Sequence, residues 1–279
     1  MSKKEASPSD EPRGLDGSAS FTVDPKSLIW YVAFTAVAVE VTLVLLDFLV
    51  NYARPEGHGS IRRLFNITRE DALPSWVGTT QTFLIALTLC VIWIVVRRRC
   101  TSVWSRRGWG ALTVFFFYMA VDDGAKVHER IGSTLGDVFE DSSLVEVFPS
   151  YGWQLFVMPL FAVAGLLLLL FLWRELTDRR GRVLLLAALT CLTLAVGLDF
   201  IEGLDEEHSW NLHAQLDRGL GWDETTEEWF GKSGFEAVVH FSKSVEEFLE
   251  MLANTLLWVA FLRHLTGMCA EIRLRLGPP

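Results

Sequence analysis

The chain has 279 residues, 51% of them hydrophobic, with 19 Phe and 11 Trp, which is more apolar surface than a soluble domain of this size has room to bury. Its formal net charge is −9, and no face or tail gathers enough Lys and Arg to neutralise a row of phosphates, so nucleic acid is excluded as a partner. The composition points to an all-α integral membrane bundle in which apolar runs alternate with short charged connections.

Residues 1–27 are rich in Ser, Pro, Asp, Glu and Lys and read as a disordered tail. They are not a signal peptide, because the apolar run from Leu28 is long enough to span and no small-residue cleavage pattern follows it. The predicted membrane domain covers 28–266, and 267–279 form a second tail. Six spans are expected, at about 28–50, 75–96, 109–130, 153–173, 183–203 and 244–263. The second and fourth contain charge-free windows of spanning length, Ser75 to Val96 and Trp153 to Trp173.

The first window carries Glu40 and Asp47, each costing roughly 2.5–3.5 kcal/mol if placed centrally. The third, fifth and sixth have charge-free stretches covering only about 18–24 Å of a roughly 30 Å hydrocarbon core. Each must borrow length from a flank, and those flanks carry Asp122 and Asp123, Asp199 and Glu202, and Glu246, Glu247 and Glu250.

The greater share of the 25 Lys and Arg residues falls on the side of the N-terminus, which places both termini in the cytoplasm. Cys100 and Cys269 then lie on the reducing side, and Cys90 and Cys191 lie within spans. A bacterial cell-membrane location is expected. The acidic connection 204–243 falls outside, with short amphipathic helices resting on the bundle or the membrane surface.

Helical rise puts Glu40, Asp122, Asp199 and Glu250 about 18–24 Å from the cytoplasmic edge of their spans, in one layer of the outer half of the membrane. On helices, Asp122 and Glu129 share a face, Asp199 and Glu202 share another, and Lys243, Glu247, Glu250 and Asn254 form a stripe. Ionisable groups at this depth face a bundle interior or a watery cavity. His128 adds a nitrogen donor beside Glu129, and His240 precedes Glu246 and Glu247 by one to two turns. Two histidines among many carboxylates fit Ca²⁺, Mg²⁺, Mn²⁺ or iron better than zinc. The zinc-protease helix is ruled out, since Gly132 stands where its second histidine would be.

Blander readings compete with this one. The acids could be a solvated interfacial ring. Lys126 and Arg130 could neutralise Asp122 and Asp123 by pairing along a helix. Glu246 and Glu247 could simply begin a helix, opposing its dipole.

The segments LPSWVGTT (73–80), DDGAKVHERI (122–131), GLDFIEG (197–203) and EEFLEM (246–251) resemble recurring pieces of a class of bacterial multi-pass membrane proteins of unassigned function. That class carries Asp-Glu where this chain has Asp122–Asp123. The resemblance implies the architecture and no activity. A looser similarity, at the level of the fold, is to seven-span metal-dependent hydrolases of the ceramidase type, which use a histidine-rich zinc site.

The leading expectation is a metal-dependent membrane hydrolase acting on a lipid or lipid-linked substrate. Asp122, His128, Asp199, Glu247 and Glu250 would hold a divalent metal ion that lowers the pKa of bound water, and Glu129 or Glu202 would take the proton. The alternatives are a cation or proton transport or relay protein, and a non-catalytic membrane module that binds a partner through 204–244.

Overall fold

A computed structural model describes residues 24–53, 57–99, 102–127, 130–131, 152–202, 208 and 210–269. All regular structure among them is helical: α1 (Pro25–Asp47), continued by a π-helical turn (Phe48–Tyr52), α2 (Gly59–Phe65), α3 (Leu73–Arg99), α4 (Val103–Ala125), α5 (Gly152–Glu175), α6 (Arg179–Glu202), α7 (Leu212–Leu220), α8 (Asp223–Phe230) and α9 (Gly234–Met268). Three stretches, Pro25–Tyr52, Leu73–Arg99 and Arg179–Glu202, are long and apolar enough to cross a membrane by length and composition.

Local chemistry sets the helix ends. Asp24 caps α1 by accepting from the Ser27 N–H at 2.9 Å, with Pro25 in the first turn, where its missing N–H costs nothing. Ser233 and Glu236 form a reciprocal capping box at the start of α9, satisfying two donors that the helix itself leaves open.

Two expectations are corrected here. The last long helix begins at Gly234, well before 244, so Glu246 and Glu247 lie deep inside a 35-residue helix and no longer read as a helix start. Helix α4 stops at Ala125, with Lys126 in the left-handed region at φ 53°. The predicted single helix through 130 is therefore broken, and so is the assumption that Asp122 and position 129 share one helical face. His128 and Glu129 themselves lie outside the described residues.

Helix α9 packs against α6, α3 and α1, and α3 lies along α4. The core between them is built from Ile85, Leu89, Ile92, Trp109, Leu112, Phe116, Leu257 and Phe261. On the outer surface large apolar side chains stand exposed, including Trp30, Tyr31 and Phe34 on α1 and Leu166, Leu167 and Leu170 on α5. Helices apolar on every face need an apolar surround, which lipid supplies.

Candidate functional site

The carboxylates gather at the end of the bundle where α7 and α8 sit. Lys243 of α9 lies 3.5 Å from Glu202 of α6, and it also senses the charges of Glu246, Glu247 and Asp199. Glu250 lies within electrostatic reach of Glu247, Glu246, Asp123 and Asp199. Glu247 interacts in the same way with Lys126, Asp123 and Glu70. Helical spacing explains the convergence. Positions 243, 246, 247 and 250 recur at three- and four-residue steps on one face of α9, and that face meets the end of α6 and the last turn of α4.

The cluster is an open bowl rather than a packed knot. Asp123 and Glu250 are water-accessible, Asp199 and Glu247 are half-buried, and Glu246 is 6% exposed. The Oε2 atoms of Glu246 and Glu202 are buried without a hydrogen-bond partner. Buried carboxylate oxygens are costly when unmatched, and the acids here outnumber Lys126 and Lys243. Lys126 also pairs with Glu70, which links it to the loop before α3. Arg130 donates its Nε–H to the Ala125 carbonyl at 3.1 Å.

Of the residues singled out from sequence, Asp199, Glu202, Glu247 and Glu250 come together. Asp122 is buried, and the Tyr118 hydroxyl bonds to it. Asp123 lies within electrostatic reach of Glu247 and Glu250, and it accepts a bond of 3.4 Å from Thr82 Oγ1. Among the described residues, no three His, Cys, Asp or Glu side chains are grouped as a ready ligand shell.

Glu40 occupies a separate node. It is fully buried, and its Oε1 accepts from Gln81 Nε2 at 2.8 Å and Thr255 Oγ1 at 2.5 Å. Thr255 lies five positions beyond Glu250 on α9, about 7.5 Å further along the axis. Between the two levels, Asn254 donates to Thr82 over 3.3 Å. Beyond Trp258, which donates to Thr88 at 3.0 Å, the bundle interior closes on Trp109, Phe116 and Phe261, whose rings pack edge to face.

Sequence reasoning missed a second polar site. Asp47, 2% exposed, accepts from Asn51 Nδ2 at 2.9 Å, the Ile67 N–H at 3.2 Å and Ser244 Oγ at 3.2 Å, and His240 Nε2 lies 3.0 Å from its Oδ2. The presence of Asp47 in an apolar window was the available signal. Its partners, 193 and 197 residues away, could not be read from local pattern. Nearby, burial draws the His213 imidazole below the usual histidine range, against the Glu202 charge that raises it.

The fold and site together define an all-helical protein with membrane-length helices and an acid-lined bowl at one end of the bundle. The chain belongs to the family described as Domain of unknown function (DUF8692), which it matches over residues 32–265. Neither the curated proteins nor the solved structures gave a match.

Proposed function

We propose that the chain is a six-span protein of the cell membrane, with both termini cytoplasmic, and that its acid bowl opens outward and binds a divalent cation for hydrolysis of a lipid or lipid-linked substrate. The observation that carries this reading is the buried, unpartnered Oε2 of Glu246 among Asp199, Glu202, Glu247, Glu250 and Asp123. So many carboxylates drawn together, with Glu246 among them buried, call for a countercharge. Hard oxygen donors fit Mg²⁺, Ca²⁺ or Mn²⁺. Asp199, Glu246, Glu247 and Glu250 would hold the cation, with Asp123 in the place expected of Asp122. The carboxylates would draw inward around it, and the cation would supply an acidified water. Glu202, the proton acceptor expected from the sequence, has its Oε1 engaged by Lys243.

A lateral crevice of 380 Å³ beside α1 and α3 supports a lipid substrate. Tyr31, Val39, Trp76, Leu84 and Trp258 wall it, and Gln81 contributes a polar group. The second reading is a proton or cation relay, favoured by the polar steps from Asp123 through Thr82 and Asn254 toward Gln81 and Glu40. The aromatic closure at Trp109, Phe116 and Phe261 ranks it second, since a path that ends midway suits chemistry better than passage.

The test is hydrolysis of phospholipids and lipid-linked phosphoesters in mixed micelles, with Mg²⁺, Mn²⁺, Ca²⁺ or chelator. Cation-dependent product release that disappears in Glu250→Gln supports the hydrolase. No product under any cation, together with dissipation of a pH gradient in proteoliposomes, contradicts it and establishes the relay.

A further inference from the structure

The Asp47–His240 pair lies outside the cation cluster, yet the two adjoin. His240 forms part of the wall of a cavity of 370 Å³, together with Thr68, Lys232, Phe235, Glu236, and the same Glu202 and Lys243 that edge the acid bowl. Asp47 is tied by Asn51, Ile67 and Ser244, so its carboxylate is fixed in place before His240 meets it. The Tyr52 ring, itself fully buried, stands edge-on to the imidazole with centroids 4.7 Å apart and restricts its rotation. A carboxylate that accepts from Nε2–H leaves Nδ1 with its lone pair, which is the tautomer of a proton acceptor. The purely structural alternative, a knot tying α1 to α9, explains the Asp47 bonds but not why the histidine walls a cavity that carries two ammonium and two carboxylate groups.

We propose that His240 is the proton-accepting catalytic residue of this cavity, that Asp47 is its positioning residue, and that the group cleaved is a phosphoester headgroup. The inference rests on the hydrolase reading and names its substrate class. Lys232 and Lys243 are the ammonium groups that phosphoester oxygens would meet, beside the carboxylates of Glu202 and Glu236 in the same wall. Lys232 lies over the Tyr52 ring at 4.7 Å, and Lys243 bridges toward the cation cluster. In the reaction a water oxygen bonds to phosphorus as one water proton passes to His240 Nδ1. The bond from phosphorus to the lipid-borne oxygen breaks, and that oxygen takes the proton back from the imidazolium. One water is consumed, an alcohol and a phosphate leave, and the ring returns to neutral. Asp47 holds the ring in place and steadies the imidazolium.

The test is nitrogen NMR of the imidazoles in the full chain, labelled with ¹⁵N-histidine and assigned with His240→Gln, alongside phosphoester hydrolysis by the same samples. The expected wild-type spectrum shows His240 protonated at Nε2 and bare at Nδ1, with its signals moving as inorganic phosphate is added. Asp47→Asn changes the tautomer balance, and His240→Gln lowers kcat by roughly 10²–10⁴-fold. The wild-type tautomer is read without any variant, so a misfolded Asp47→Asn sample does not blunt the test. A His240 protonated at Nδ1, a ring indifferent to inorganic phosphate, or full activity in His240→Gln overturns this inference alone. A wild type that cleaves no ester overturns the hydrolase reading on which it stands.

Discussion

Gln81 Nε2 donates to Glu40 Oε1 over 2.8 Å, joining two helices that otherwise make little contact. Thr255 Oγ1 donates to the same oxygen at 2.5 Å from α9, so this one carboxyl oxygen ties three helices together inside the bundle. Removing one donor leaves a buried acceptor less satisfied, at about 1–3 kcal/mol. Thr255→Val should lower the unfolding free energy by that amount. Glu40→Gln, which keeps an acceptor in place, should cost less than Glu40→Ala. Unfolding in mixed detergent followed by tryptophan fluorescence measures both, and a neutral Thr255→Val would show that the node does not hold the helices.

Gly108 of α4 lies against α5: a methyl group added there would fall on the Phe171 ring. Phe171 is buried and packs edge-on against Trp109, so it has little room to yield. Gly108→Ala should destabilise by about 1–3 kcal/mol. Pairing it with Phe171→Leu should recover part of the loss, read in the same unfolding assay as a positive coupling between the two sites.

The helical class and the approximate positions of the long helices were legible, because sustained apolar runs announce themselves locally. Depth along the helices predicted one layer of Glu40, Asp122, Asp199 and Glu250; Asp199 does lie within electrostatic reach of Glu250, but Glu40 stands apart with Gln81 and Thr255, so its place was not legible. The break at Lys126 was not: it depends on a left-handed residue that is not glycine, where propensity gives no warning. Nor could the pattern show Asp47 beside His240, because that pairing exists only once α1 and α9 have packed.

His213 gives the connection between the long helices a pH dependence. Burial holds its folded-state pKa below the ordinary 6.5, so the unfolded segment takes the proton more readily than the folded one. The stability involved is complete above the unfolded value. It is lost as pH falls through about 6.5 toward the lower folded value. Protection factors for hydrogen exchange across residues 212–220 should therefore fall on acidification through that window. His213→Gln should remove the change, and identical pH profiles for the two proteins would contradict the assignment.

Lys243 is the chain's own countercharge at the bowl, 3.5 Å from Glu202 and close to Glu246 and Glu247. Lys243→Met should leave the carboxylates more repulsive and more dependent on an added cation. The thermal stabilisation produced by Mg²⁺ or Ca²⁺ should be larger in the variant than in wild type. Equal shifts would mean that added cations act elsewhere.

The central claim is that the carboxylates of α6 and α9 hold a divalent cation. Equilibrium dialysis of the purified chain against Mg²⁺, Ca²⁺ and Mn²⁺ in turn, with metal content read by plasma mass spectrometry, tests it most directly. The account predicts stoichiometric binding of at least one of these ions by wild type, and its loss in both Glu246→Gln and Glu250→Gln while the proteins remain folded. A folded wild type that retains none of the three, or variants that bind as wild type does, would contradict it.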